Sequence, residues 1–344
     1  MLSFKKTLVL LAALLLFAVS TTAAPRSDDS SSQEHFDALF DGHKIVNVVD
    51  DFLNFWEQAR GKKMSRQYKL WKRLVESKHQ EYFDRAIYQN ATPPERLVML
   101  HQFLIRVPSR INRLREFNKI AEEELRIAIY NFKSRFPFYH QRQDIFIGLS
   151  FFLFDGSVRP VGNENGVPDT LCLGAEVLTE YNIEQLQIAF THEFFHLYHF
   201  NYLLNQPTLA QVRTAHIPLI VEGLAVAGAE TVYPAMPPTL YLHFTDKQFE
   251  SQREELAASA RKFLELIKAE ATPDKYEQWF TDAAPTEVPK RGGYLLGYEV
   301  VQRIMAMYTL DQIVRMPPTQ LREHVEEQLA AIAAERVLLI ETAN

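Results

Sequence analysis

The chain has 344 residues, 47% hydrophobic and 23% charged, an ordinary globular balance with ample material for a core. Its formal net charge is −6 and it carries no long basic run, which argues against a nucleic-acid partner. Cys172 is the only cysteine, so an internal disulfide and a four-cysteine zinc site are both excluded. Set between Leu171 and Leu173, it reads as a buried strand thiol.

Lys5 and Lys6 open the chain, Thr7 to Val19 is an apolar stretch, and small residues run from Ser20 to Ala24. This is the three-part pattern of a secretory signal peptide over residues 1–24. The apolar stretch falls short of the ~20 residues a bilayer span needs, so no stable membrane insertion is expected once the leader is removed. No cysteine follows it to carry a lipid anchor. Loss of Lys5 and Lys6 takes the formal charge from −6 to −8. The expected location is outside the cytoplasm, in a bacterial periplasm or the medium.

A polar, Ser/Asp-rich lead comes next, to about residue 34. From there to about residue 140 the spacing is helical: Val46, Val49, Phe52, Leu53 and Trp56, then Leu97, Leu100, Leu104 and Val107, then Ile111, Leu114, Phe117 and Ile120. Thr92-Pro93-Pro94-Glu95 reads as a helix start with proline in the first turn. Residues 25–140 are thus a helical N-terminal region, either a subdomain or a wall of the catalytic domain.

The period then changes. Ile145 to Leu153 is strand-like, Asp155-Gly156 is a turn signal, Pro160 to Asp169 is a loop, and Thr170 to Ala175 reads as a second strand. Ile183 to Leu204 is one helix without Pro or Gly, and Ile217 to Thr231 is a short apolar helix. Asp246 to Glu270 is amphipathic and solvent-facing, Thr281 to Lys290 a loop, Gly293 to Tyr308 a buried helix, and Pro317 to Ile340 a closing helix. Residues 141–310 are expected to form the catalytic domain and 311–344 a C-terminal helix, with no internal repeats.

Chemistry concentrates at His192-Glu193-Phe194-Phe195-His196, of the form H-E-x-x-H. A helix advances about 100° and 1.5 Å per residue, so the two imidazoles lie about 40° apart and roughly 6 Å along the axis. Both can reach one ion over that face. Glu193 sits about 100° round from His192, placed for a general base rather than a ligand. The flanking Leu186, Ile188, Phe190, Phe194, Leu197 and Phe200 cover nearly every side, so the helix is expected to be buried. Buried histidines and a glutamate need partners, and a metal ion supplies one.

Two histidines leave a tetrahedral zinc incomplete, since catalytic sites usually have three protein ligands. Glu222 is an isolated carboxylate in the apolar run Leu219 to Val226, and Gly223 beside it lets another helix approach. His199 lies on the same face as His192 and His196. At about 10.5 Å along the axis from His192, it is too far to share the ion, and reads as a supporting or core group. His216, Glu230 and His243 are weaker ligand candidates.

Three segments together resemble the gluzincin clan of zinc peptidases, closest to bacterial families of predicted zinc-dependent proteases: His192 to His196, Glu222-Gly223-Leu224-Ala225, and Tyr294-Leu295-Leu296-Gly297-Tyr298. The likeness covers about Ile145 to Met307. It implies one Zn²⁺ held by His192, His196 and Glu222, with Glu193 as general base. Tyr294 is implied as the hydroxyl that steadies the oxyanion, with Tyr298 as runner-up; either tyrosine also suits a core. It further implies that Thr170 to Gly174 is an edge strand pairing with an extended peptide, which makes Leu173, Gly174 and Ala175 substrate-binding residues. The sequence departs from parts of the clan. Val226 stands where some members orient a ligand histidine with an acid. Leu173-Gly174-Ala175-Glu176 stands where aminopeptidases bind an amine, leaving Glu176 as an amine-binding or a surface residue.

The expected fold is therefore α+β and mostly helical, a small sheet whose edge strand packs on the HExxH helix and a glutamate helix, preceded by helices. The expected activity is exported, zinc-dependent hydrolysis of a peptide or protein substrate. A metal-dependent hydrolase of another amide or ester, and an inactive zinc-bearing peptide-binding module, are the alternatives.

Overall fold

A computed structural model describes residues 40–162, 168–203, 214–281 and 288–341. The expected leader, the polar lead after it, Leu204, and parts of the loops at 160–169 and 281–290 lie outside the described residues.

Four short strands are β1 (Ile45–Asn47), β2 (Ile145–Gly148), β3 (Gly156–Arg159) and β4 (Thr170–Gly174). They make one mixed sheet in the order β1-β2-β4-β3. β1 runs parallel to β2 with Val46 opposite Phe146, β2 parallel to β4 with Ile147 opposite Leu173, and β3 antiparallel to β4 with Ser157 opposite Cys172. Every residue of β4 is buried, Cys172 included.

The main helices are α1 (Val49–Ala59), α2 (Met64–Leu74), α3 (Pro93–Arg106) and α4 (Ile111–Arg135) before β2. After β4 come α5 (Ile183–Leu203), α6 (His216–Val232), α7 (Asp246–Glu254), α8 (Leu256–Lys268), α9 (Gly292–Met305) and α10 (Pro318–Glu341). The fold is α+β and mostly helical, with an edge strand, β3, packed on α5.

Local chemistry sets the helix starts. Thr92 and Glu95 form a reciprocal capping box at α3, with proline in its first turn. Asn182 and Gln185 exchange side-chain to backbone bonds of 2.9 and 3.0 Å ahead of α5, which fixes where that helix begins and so the phase of His192 and His196. Burial holds the layers together: Trp71 packs among Phe52, Phe55, Phe83, Phe103 and Phe151, joining the N-terminal helices to the chain just after β2. Each such fully buried ring stabilises the fold by roughly 1.5–3 kcal/mol.

Four expectations are corrected. Val46 belongs to β1, not to a helical stripe, because its backbone pairs with β2. β2 ends at Gly148, short of Leu153. Phe151 and Phe152 adopt left-handed φ of 57° and 63°, and the Glu176 carboxylate takes the Ser150 and Phe152 N–H groups that a longer strand would have used. The stretch 246–270 is two helices bending at Glu255. Gln252 on α7 donates to the Lys290 carbonyl at 2.7 Å, while Ala260, Phe263 and Ile267 on α8 are buried on the side packed against α10. Finally, Thr170 to Gly174 is not an edge: β4 is flanked by β2 and β3, and the edge on that side is β3.

Candidate metal centre

His192, Glu193 and His196 project from the buried middle of α5, each under a tenth exposed. The two imidazoles stand perpendicular, centroids 4.7 Å apart. His192, Glu193 and His196 offer ligand atoms within 4.8 Å of one another. Glu222, from α6, brings Oε2 to 3.2 Å from His192 Nε2 and 3.5 Å from His196 Nε2. The phase of α6 is set by packing on α9, where Gly223 and Gly297 meet backbone to backbone. The sequence expectation that Gly223 admits a close helix describes this contact.

The donor set fits a zinc ion. Two imidazole nitrogens and a carboxylate oxygen converge, and an N, N, O set suits zinc. Glu193 Oε2 is buried and has no hydrogen-bond partner among the described residues, and the Nε2 atoms of both histidines lie toward the Glu222 carboxylate. So polar a cluster in an apolar helix is costly unless something compensates it.

The electrostatics tie these groups closely together. Burial alone would raise Glu222, but His196 and His192 outweigh it and hold that carboxyl far below its usual range. Burial lowers His192, against the opposing pull of Glu222. Burial also opposes charge on His196, yet Glu222 prevails and lifts it above the ordinary histidine value. Glu193 is pushed up to about 8, chiefly by burial, with Asp155 and Glu222 adding to the effect.

These groups open on a cavity of about 220 Å³. Gly156 of β3 lies directly over Glu193: a Cβ there would sit 2.5 Å from Glu193 Cγ, so only glycine lets the strand come this close. Tyr294 lines the cavity, its ring near-parallel to His192 at 6.2 Å. Tyr298 faces elsewhere and donates to Glu230 Oε2 at 3.0 Å, a carboxylate that also accepts from Gln302. Glu230 is thereby engaged away from the histidines.

Of the three residues named for substrate, Leu173 lines the cavity. Gly174 donates its N–H to the Asp155 carbonyl at 2.7 Å, and Ala175 begins a short buried helix, Ala175–Leu178. Neither presents a free strand edge. Glu176 is neither exposed nor free: fully buried, it accepts from Ser150 N, Ser150 Oγ and Phe152 N. His199 is buried one turn beyond His196, lowered by burial to about 3. His216 bonds Thr214 and the Pro318 carbonyl.

Sequence reasoning missed three cavity residues in their present role: Asp155, His243 and Arg291. Asp155-Gly156 carried only a turn signal, and His243 only a weak ligand signal. Arg291 could have been noticed as the second of two cations, after Lys290, just before Gly292-Gly293 and a buried helix.

An H-E-x-x-H helix, a glutamate delivered by a second helix and an adjoining strand edge make a candidate metal centre of the H-E-x-x-H type. The chain belongs to the family described as predicted Zn-dependent protease (DUF2268), whose model matches residues 143–323. No curated protein and no solved structure matches the chain significantly.

Proposed function

We propose that the chain is an exported zinc-dependent peptidase that hydrolyses peptide bonds. The observation that carries this is the convergence of His192 Nε2, His196 Nε2 and Glu222 Oε2, with the Glu193 carboxylate beside them. Those three residues would hold one zinc ion, which would supply the Lewis acidity that hydrolysis needs.

Glu193 takes the proton of the attacking water and passes it to the leaving amine. The Tyr294 hydroxyl hydrogen-bonds the carbonyl oxygen as charge develops on it. β3 offers its outer edge to an extended peptide, a common docking mode, and Leu173, opposite Gly156 on the neighbouring β4, lines the cavity. Export rests on the N-terminal leader; no helix among the described residues is long and apolar enough to cross a membrane.

The test is a peptide-library digest with the zinc-loaded protein, with and without chelator, beside Glu193→Gln. Cleavage that chelation and the substitution each abolish supports the proposal. Zinc binding without cleavage of any peptide favours the inactive module, and cleavage confined to non-peptide amides or esters favours the other hydrolase.

A further inference from the structure

The cavity lining is mixed: Val158, Leu173, Leu178 and Ala189 are apolar, while Asp155, His243 and Arg291 are polar. The peptidase mechanism above uses none of the last three.

Arg291 is fixed by its backbone. It caps the start of α9 with φ of 52°, and its N–H donates to the Thr281 carbonyl at 3.2 Å. Its guanidinium lies over the Tyr294 ring, 4.4 Å from the centroid. A planar guanidinium stacked on one face presents its N–H groups at the edge, the geometry that grips a carboxylate bidentately. His243 is equally constrained, with φ of 52° and its ring stacked on Tyr181 at 4.8 Å and 14°. Its Nδ1 is buried and has no hydrogen-bond partner among the described residues. Asp155 organises this part of the lining: Oδ1 accepts from Gly156 N at 2.9 Å and Oδ2 from the Tyr181 hydroxyl at 2.6 Å. Burial would raise its carboxyl, but Arg291, Tyr181 and His243 hold it below the usual range, so it stays ionised and balances the guanidinium.

We infer that Arg291 and His243 bind the C-terminal carboxylate of the substrate, so that the enzyme removes residues from peptide C-termini. The apolar part of the lining then takes an aliphatic side chain while Arg291 and His243 take the chain end. Size agrees, since about 220 Å³ is below the ~300–1,000 Å³ of sites that enclose a larger ligand. The inference rests on the peptidase proposal only in naming that carboxylate as a peptide end.

Calorimetric binding of N-acetyl-leucine and N-acetyl-leucinamide to the zinc-loaded protein tests it. The acid is expected to bind at least tenfold tighter than the amide. Arg291→Gln should weaken the acid about tenfold or more and leave the amide unchanged, with Arg291→Lys in between because charge remains and the planar fork is lost. Equal affinity of acid and amide for the wild type overturns the inference. So does an Arg291→Gln protein of unchanged melting temperature that keeps the acid preference. If Arg291→Gln does not fold, His243→Phe replaces it: it keeps the stack on Tyr181, removes the ring nitrogens, and must weaken the acid selectively. Hydrolysis without acid preference removes this inference alone; acid preference without hydrolysis keeps the carboxylate site and removes the peptidase proposal together with C-terminal cleavage.

Discussion

Gly223 and Gly297 touch backbone to backbone: a Cβ on Gly223 would lie 2.3 Å from the Gly297 carbonyl oxygen, and one on Gly297 would lie 2.3 Å from the Leu219 carbonyl oxygen. This contact seats α6 on α9 and so sets where Glu222, the neighbour of Gly223, delivers its carboxylate. Gly223→Ala must push the helices apart, at a cost of about 1–3 kcal/mol for an overpacked core. Both thermal stability and zinc affinity should fall, read by calorimetric melting and by competition with a zinc-binding dye. A variant that melts lower yet binds zinc as tightly as wild type would show that the contact does not position Glu222.

Glu193 and Gly156 form the second close pair. Glu193→Gln keeps the shape of the side chain and removes its basicity, so zinc content should stay near wild type while turnover drops about 10²–10⁴-fold. Gly156→Ala should harm both turnover and stability, because the new methyl meets the Glu193 side chain. Undiminished peptide hydrolysis by Glu193→Gln would remove Glu193 from its proposed role.

The two tyrosines of α9 separate cleanly. Tyr294→Phe should lower kcat about 10²–10³-fold, as loss of one donor to a developing oxyanion does, with little change in melting temperature. Tyr298→Phe loses its bond to Glu230 and should cost about 1 kcal/mol of stability while leaving kcat near wild type. The reverse pattern in steady-state kinetics and melting would exchange the roles of the two hydroxyls.

Acid should destabilise the fold partly through His216. The ring is buried, accepts from or donates to Thr214 at Nδ1, and donates from Nε2 to the Pro318 carbonyl. Burial lowers it to about 4, whereas a histidine in the unfolded chain titrates near ~6.5. Between these values the unfolded state binds the extra proton. Stability from this group is therefore complete above about pH 6.5, declines as pH falls, and levels off below about 4. The expected loss is up to about 3 kcal/mol. His216→Gln keeps a donor for Pro318 and cannot titrate, so the stability gap to wild type in urea melts should narrow from pH 7 to pH 4.5. A constant gap would mean that His216 does not carry this proton.

Legibility in the sequence tracks the physics of each feature. α5 was legible because apolar residues on every side of an uninterrupted helix mark burial, and two histidines four apart then demand a partner. Glu222 was legible as a lone carboxylate in an apolar run. β1 was not, because three residues, Ile45 to Asn47, are too few to tell a two-residue period from a helical one, and the pairing that makes them a strand lies 100 residues away at Ile145. β3 was hidden because Gly156-Ser157-Val158-Arg159 has little apolar signal and begins in a turn motif. With β3 unseen, the more apolar Thr170 to Gly174 took the edge. Glu176 could have been exposed or buried on its sequence alone, since only the turn at Ser150 to Phe152 supplies the donors it accepts. Asp155, His243 and Arg291 meet only in three dimensions.

Diffraction from crystals grown with zinc, recorded above and below the zinc absorption edge, tests the central claim most directly. The account predicts one strong anomalous peak within bonding distance (about 2.0–2.2 Å) of His192 Nε2, His196 Nε2 and a Glu222 carboxylate oxygen. A peak lacking Glu222, or density at the two histidines without zinc signal, would contradict it.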